Sequence, residues 1–209
     1  MLITKIFKAE SMHRVVNCSS KYCKYSCHGH SAVIEVTFKG TQPDNGGMVY
    51  DFGLMKGTIK QFIESMDHAA LLYNYDDPKY VSFIKEFNKR WISLPVSPSA
   101  EFLSAFIFQY IKFIMNHTVP ENGEGPISVY SVKYHETTTG SATCFEEDLN
   151  TWFPEKFLKE VQFSQGVKDE WSEDLMKIIE DHDNEIFKYL YDEGLVYNEI
   201  AEQQVKKNW

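Results

Sequence analysis

Three histidines stand where the sequence could bring them onto one metal ion. His28 and His30 are two residues apart at the start of an alternating segment, so both imidazoles point to the same face of a strand. His13 follows an earlier alternating segment and lies beside them if the two strands pair. Three neutral imidazoles suit Zn²⁺ and leave a fourth ligand position open, as in catalytic zinc sites. An isolated H-x-H pair is a weak signal, and surface histidines are the competing interpretation.

Three of the four cysteines crowd the same part of the chain, at Cys18, Cys23 and Cys27. A structural zinc site built from Cys23, Cys27 and His28 is one alternative, but its C-x-x-x-C spacing has no second ligand pair elsewhere. Another alternative is that one cysteine is a base or nucleophile whose thiolate is favoured by a nearby metal ion or histidine. Cys144 is expected in the core.

Acidic side chains could complete such a site. Asp67 next to His68 can bias the tautomer of the imidazole and raise its basicity, although a histidine at a helix end is also favourable without any function. Glu101 lies in the first turn of a predicted helix, where the helix dipole alone explains a carboxylate. Glu136 follows a strand-like segment, and its carboxylate could accept two N–H groups of a guanine-like ring.

The elements that position these residues follow from hydrophobic periodicity. The sequence predicts an α+β fold, a four-stranded antiparallel sheet with two helices on one face. Residues 73–97 are polar and turn-rich at first and are interpreted as an insertion. The predicted strands cover residues 2–9, 30–39, 127–135 and 141–146, and the predicted helices run from Gly53 to Met66 and from Pro98 to Met115.

Composition sets the remaining limits. The chain has 209 residues with 43% apolar and 24% charged residues, typical of a globular protein with a full core. The net charge of −9 comes from residues 145–209, which hold 7 lysines against 17 acidic residues. We therefore expect a domain over residues 1–147 and an acidic, mostly helical extension over residues 148–209, with a helix from Glu170 to Tyr191. No nucleic-acid surface, membrane span or signal peptide is expected, so the predicted location is cytoplasmic.

Six motifs, in this order and with these gaps, resemble the 6-pyruvoyltetrahydropterin synthase and 6-carboxytetrahydropterin synthase family. The similarity spans about residues 1–146, and its last motifs look more like the bacterial 6-carboxytetrahydropterin synthases of the 7-deazaguanine (queuosine) pathway. The motifs are His13, Cys23 with His28-Gly29-His30, Gly47-Met48-Val49-Tyr50-Asp51-Phe52, Asp67-His68, Pro98-Ser99-Ala100-Glu101 and His135-Glu136-Thr137-Thr138-Thr139-Gly140.

The resemblance implies a tunnelling fold whose subunits form barrel-shaped homo-oligomers, commonly hexamers, with active sites at the subunit interfaces. Residue by residue, it implies a zinc site, a base, a relay that moves protons and a pocket for the pterin. The zinc ligands would be His13, His28 and His30, the thiolate base Cys23, the relay Asp67 and His68, the pterin anchor Glu136, and the other pocket residues Glu101 and Thr137.

The implied reaction is the zinc-dependent conversion of 7,8-dihydroneopterin triphosphate to 6-carboxy-5,6,7,8-tetrahydropterin, acetaldehyde and triphosphate. The zinc ion would bind the hydroxylated side chain of the substrate and acidify the adjacent C–H bond. Two alternatives stay open. One is a 6-pyruvoyltetrahydropterin synthase, which keeps the three-carbon side chain, and the other is a catalytically inactive zinc- or pterin-binding protein.

Three features depart from the family pattern. The catalytic cysteine commonly lies at the position of Lys24, so Cys23 is one residue further from the H-x-H pair; Cys27 is the reserve, although an extended strand would point it to the opposite face. The 73–97 insertion brings Lys89 and Arg90, which could meet phosphates or form a solvated basic turn. The acidic extension is the third departure.

Overall fold

The computed structural model describes residues 1–119 and 121–180. In these residues the strands are β1 (Leu2–His13), β2 (His28–Gly40), β3 (Ala69–Tyr73), β4 (Trp91–Leu94), β5 (Ile127–His135), β6 (Ser141–Phe145) and β7 (Gln162–Phe163). The helices are α1 (Lys21–Tyr25), α2 (Thr58–Glu64), α3 (Pro78–Phe87), α4 (Ala100–Asn116), α5 (Leu149–Trp152) and α6 (Gln165–Lys168), and residues 173–180 are also helical. Within the described ranges, no helix is both long and apolar enough to cross a bilayer.

The four predicted strands lie next to each other as an antiparallel unit in the order β6-β5-β2-β1. Alternation decides which face of this unit is buried. Ile34, Val36 and Phe38 of β2 are fully buried, whereas Glu35 and Thr37 between them are partly open to solvent. The pairing of β1 with β2 runs without a break from Leu2 opposite Lys39 to His13 opposite His28.

The two predicted helices pack on the same face of the sheet. Phe62 of α2 stacks on Tyr110 of α4 with ring centroids 4.8 Å apart, and both side chains belong to the main core. Each such buried apolar side chain contributes about 1.5–3 kcal/mol to folding. The helix predicted from Gly53 to Met66 is interrupted, because Gly57 adopts a non-helical conformation (φ −81°, ψ −124°) between a 3₁₀ turn at Leu54–Lys56 and α2.

The sheet has seven strands, so the prediction of four is wrong in this detail. β3 pairs parallel with β1, β4 pairs parallel with β3, and β7 pairs antiparallel with β4. β3 shows no polar–apolar alternation because both of its faces are covered. Leu71 packs into the main core, while Ala70 and Leu72 pack with Ile84 of α3 on the other side.

The predicted insertion, residues 73–97, begins at the end of β3 and contains α3 and β4. Asp77 caps α3 by accepting hydrogen bonds from the backbone N–H groups of Lys79 and Tyr80, and Pro78 occupies the first turn of the helix. Because α3 lies on the face of the sheet opposite α2 and α4, the insertion thickens this end of the molecule.

Residues 149–180 contribute to the main core. Phe153 is fully buried against Phe106 of α4, and Leu175 is fully buried as well. The indole Nε1–H of Trp171 donates a hydrogen bond of 2.7 Å to the Ser65 hydroxyl at the end of α2. Of the helix predicted from Glu170 to Tyr191, residues 173–180 are helical, whereas residues 170–172 form a turn before it. Residues 181–191, with Ile186 and Leu190, lie outside the described residues.

Candidate active site

The pairing of β1 with β2 brings the three histidines together. His13 stands directly opposite His28 in the ladder, and His30 lies two residues further along the same face of β2. The ring centroids are 4.7, 5.0 and 4.9 Å apart, and one nitrogen of each ring lies within 4.8 Å of the others. This spacing is what three ligands of one metal ion require.

Backbone carbonyls orient two of the rings. The Nδ1–H of His13 donates to the carbonyl of Pro98 at 2.6 Å, and the Nδ1–H of His28 donates to the carbonyl of Ser26 at 2.9 Å. Both bonds leave the Nε2 lone pair free, as in metal sites whose histidines are held through the other ring nitrogen. The Nε2 atoms of His13 and His30 are buried and have no hydrogen-bond partner. Buried unpaired nitrogens are costly, and a bound Zn²⁺ would satisfy them, so the residues fit this ion.

Burial also sets the protonation state of His13, whose side chain is only 3% exposed. Loss of hydration is the largest effect and disfavours the imidazolium ion. The Pro98 hydrogen bond opposes it, while His28 and His30 act in the same direction as burial, and the pKa falls from 6.5 to about 4. His13 is therefore neutral at pH 7, which is the form that binds a metal ion.

Glu136 lies beside this cluster, just after β5 ends. Its Oε1 is 3.5 Å from Nε2 of His13 and 3.9 Å from Nε2 of His30. Thr137 is exposed and has a local role, because its hydroxyl oxygen accepts a 2.9 Å hydrogen bond from the Gly140 N–H in the turn between β5 and β6. The structure thus brings Glu136, but not the Thr137 hydroxyl, into direct contact range of the histidines.

The motif Pro98 to Glu101 contacts the histidine cluster through a backbone carbonyl. Glu101 is exposed in the first turn of α4, and among the described residues no hydrogen bond or ion pair joins its carboxylate to the histidines. Pro98, in contrast, supplies the carbonyl that orients His13. Sequence reasoning missed this contact because a backbone carbonyl leaves no signature in the residue type.

Asp67 and His68 form a hydrogen-bonded pair at the turn between α2 and β3. Asp67 Oδ2 accepts from Nδ1 of His68 at 2.9 Å, and its Oδ1 accepts from the Glu10 N–H at 2.7 Å. Burial would raise the pKa of Asp67, but these two hydrogen bonds and the nearby His68 and Arg90 outweigh it and hold the pKa below its usual 3.8. The His68 ring is exposed, and its backbone is left-handed with φ 53°.

The two candidate bases lie in different surroundings. Cys23 is partly buried in α1, and its carbonyl accepts a hydrogen bond from Val15 N–H at 3.0 Å. Cys27 is exposed, and its thiol lies near the Tyr80 hydroxyl on α3. His28 and His30 share the face of β2 that carries the buried Ile34 and Val36, and α3 packs on the other face, so Cys27 lies on the side away from the histidines.

A groove of about 390 Å³ is lined by one residue of each group of site residues, His30 and His68. Asn88, which follows α3, also lines it, so the insertion contributes to this groove. Gly29 leaves room on the β2 wall, because a side chain there would meet the Ser11 carbonyl at 3.3 Å. The lining residues are Glu10, Ser11, Met12, Gly29, His30, Ser31, His68, Ala69, Ala70 and Asn88.

The two basic residues of the insertion differ in their contacts. Lys89 is exposed, but the Arg90 guanidinium donates to the carbonyls of Glu64 and Asp67 and pairs with the carboxylate of Glu170. The Arg90 guanidinium is therefore engaged by protein partners.

A sequence model described as 6-pyruvoyl tetrahydropterin synthase matches residues 2–147. The chain is 34% identical over 173 residues to the 6-carboxy-5,6,7,8-tetrahydropterin synthase of Helicobacter pylori strain J99, covering 82% of this chain and 86% of that protein. A protein of the same name from Aquifex aeolicus is 29% identical over 164 residues, covering 69% of this chain and 98% of its own length. The structure of an uncharacterized protein from Wolinella succinogenes shares the fold with a TM-score of 0.57 at 18% identity, covering 70% of this chain and 98% of that one.

Proposed function

The chain belongs to the 6-pyruvoyl tetrahydropterin synthase family, and on that premise we propose that it is a 6-carboxy-5,6,7,8-tetrahydropterin synthase. The proposed reaction converts 7,8-dihydroneopterin triphosphate to 6-carboxy-5,6,7,8-tetrahydropterin, acetaldehyde and triphosphate in 7-deazaguanine (queuosine) biosynthesis. The observation that carries the proposal is the cluster of His13, His28 and His30. The Nε2 atoms of His13 and His30 have no hydrogen-bond partner, and His30 lines a groove that His68 also lines.

The metal proposed for this cluster is Zn²⁺, held by the three imidazoles. When bound, it would supply Lewis-acid chemistry that polarises the hydroxylated side chain of the substrate. The protein's own contribution is to keep the imidazoles neutral and correctly turned, through burial of His13 and through the carbonyls of Pro98 and Ser26.

The proton-transfer roles are divided between two groups. Cys23 is proposed as the thiolate base that takes a proton from the side chain of the substrate, with Cys27 as the reserve. Asp67 accepts the Nδ1–H of His68, which leaves Nε2 of the exposed imidazole free to accept or donate a proton at the groove. The depressed pKa of Asp67 keeps its carboxylate ionised for this task.

Pterin recognition is assigned to Glu136, whose carboxylate can accept two parallel N–H bonds from the amino group and the ring nitrogen of a pterin. Its side chain is 29% exposed and so is accessible to a ligand. Glu101 and Thr137 are proposed to line the same pocket; the exposed position of both side chains is compatible with a role at its rim.

The proposed architecture is a tunnelling fold assembled into a homo-oligomer, with a hexamer expected, and with residues 148–209 as an extension of a family domain over residues 1–147. The free face of the antiparallel unit supports assembly, because Ile6 is 57% and Tyr130 is 41% exposed there. Light scattering coupled to gel filtration of the full chain would give the subunit number directly.

The test of the function is to incubate the zinc-loaded full chain with 7,8-dihydroneopterin triphosphate and to identify the pterin product by mass spectrometry. A 6-carboxy product together with acetaldehyde supports the proposal. A 6-pyruvoyl product would contradict it in favour of the related synthase, and no turnover would favour a zinc- or pterin-binding protein.

A matched pair of histidine variants tests the metal site. His28→Ala should lower the zinc content well below that of the wild type, because one of three ligands is lost. His117→Ala is the control, since this histidine hydrogen-bonds the Phe113 carbonyl at the end of α4. Atomic emission on both dialysed proteins gives the zinc stoichiometry, and full zinc occupancy in His28→Ala would defeat the three-histidine site.

A further inference from the structure

Arg90 joins the end of α2 to the C-terminal segment, residues 149–180, through a single guanidinium group. Its Nε donates to the carbonyl of Asp67 at 3.1 Å, and its Nη2 donates to the carbonyl of Glu64 at 3.0 Å. On its other side, Nη1 pairs with the Glu170 carboxylate and lies 3.4 Å from the carbonyl of Gly166. Each edge of the guanidinium therefore has a protein partner.

These contacts tie the end of α2 to the turn that follows it. Glu64 is the last residue of α2 and its carbonyl also accepts from the Asp67 N–H, whereas the Asp67 carbonyl belongs to the turn. The N–H donors of an arginine, fixed in one plane, bind both carbonyls at once. The chain then passes through His68, a non-glycine residue in the left-handed region, which costs backbone energy and has to be imposed by the surroundings. The backbone of Glu10 holds this turn from the β1 side, and Arg90 holds it from the β4 side.

We propose that Arg90 is a positioning residue for the Asp67–His68 pair, and that Glu170 of the C-terminal segment holds Arg90 in place. The inference rests on the proposed function, because that function gives the pair its role in proton transfer. It also gives the C-terminal segment a part in the reaction without any contact with the substrate.

The charges around Asp67 determine how the loss of Arg90 should change the pKa of the Asp67 carboxyl. Arg90 is a cation beside Asp67, so its removal leaves a more acidic neighbourhood and should raise the pKa of the Asp67 carboxyl. Within the described part of the chain, the charged side chains that act on the Asp67 carboxylate are His68 in the turn and Arg90 before β4, while Glu10 reaches it through its backbone N–H and Glu170 pairs with Arg90.

Four variants of the zinc-loaded full chain separate position from charge. Arg90→Met removes both, Arg90→Lys keeps the charge without the planar set of donors, and Glu170→Gln removes the partner that holds the guanidinium. Lys60→Met is the matched control, because it removes a cation of α2 that pairs with the exposed Glu64 side chain at the surface and is not one of the charged groups that act on Asp67.

For each variant, kcat and KM for 7,8-dihydroneopterin triphosphate are measured from pH 3 to 9, with zinc content and thermal midpoint recorded alongside. Arg90→Met should lower kcat about 10- to 100-fold with KM within about twofold, and the acid limb of its kcat profile should move to higher pH. Arg90→Lys should lower kcat without moving that limb. Glu170→Gln should lower kcat by a smaller factor, and Lys60→Met should match the wild type.

A second readout does not depend on turnover. The carboxyl ¹³C resonance of Asp67, assigned with Asp67→Asn, should titrate at higher pH in Arg90→Met than in the wild type. If the wild type does not convert the substrate, the proposed function fails, while this titration still decides whether Arg90 controls Asp67. If Arg90→Met keeps its kcat, or loses kcat without any change in the acid limb and the Asp67 titration, the positioning role is overturned and Arg90 only stabilises the fold.

Discussion

Trp171 offers a quantitative test of how the C-terminal segment belongs to the fold. Its side chain is 9% exposed, its ring lies 4.9 Å from that of Phe163, and its Nε1–H donates to Ser65. Trp171→Ala removes this large buried side chain, so the free energy of unfolding should fall by about 3–5 kcal/mol. Trp171→Phe keeps most of the ring contact and loses one hydrogen bond, which should cost about 1 kcal/mol.

The assay is urea unfolding of the zinc-loaded full chain, followed by circular dichroism at 222 nm because tryptophan fluorescence changes with the substitution. Trp152→Ala is the control. This tryptophan is 39% exposed and touches Phe102 with ring centroids 5.4 Å apart, so its loss should cost clearly less. If Trp171→Ala costs no more than Trp152→Ala, or if unfolding becomes two separate transitions, the segment does not share the core and the reasoning is refuted.

Three further predictions concern the site. Cys23→Ala should keep its zinc and lose turnover, whereas Cys18→Ala, a control in the same stretch between β1 and β2, should keep both. If Cys23→Ala keeps its turnover and Cys27→Ala loses it, the base is Cys27. Glu136→Gln should weaken pterin binding about 10- to 100-fold in calorimetry, because N–H donors of the ligand lose a charged acceptor, and an unaltered affinity would exclude the anchor role. Because the pKa of Asp67 is lowered by folding, its ionised form stabilises the protein above the usual pKa of 3.8, and this contribution disappears as the pH falls through the lower folded value. Urea unfolding curves of the wild type and Asp67→Asn should therefore converge in acid, and a gap that stays constant down to pH 3 would contradict the shift.

The antiparallel part of the fold and the histidine cluster could be predicted from the sequence, because both depend on the two-residue alternation of side chains along a strand. Strands with one buried and one wet face show alternation, and alternation places His28 and His30 on the same side. The pairing partner of His13 then follows from the hairpin-like order of β1 and β2. The α+β prediction is confirmed for the same reason.

Three strands, two backbone contacts and the partners of Arg90 escaped sequence reasoning for physical reasons. β3 is covered on both faces and β7 has two residues, so neither carries an alternating pattern. The carbonyl of Pro98 and the N–H of Glu10 act through the backbone, which any residue type supplies. The partners of Arg90 come from α2 and from the C-terminal segment, at sequence distances that no local pattern reveals.

The order of the strands has a consequence for synthesis on the ribosome. β7 covers the outer edge of β4 through Ile92 opposite Phe163 and Ser93 opposite Gln162, although about 70 residues separate these partners along the chain. A nascent polypeptide that has already formed β1, β2, β3 and β4 therefore presents the open edge of a parallel strand until residue 163 has left the exit tunnel. Open strand edges are templates for pairing between chains. Translational pausing before this point should increase aggregation of the newborn protein, and pausing after it should not.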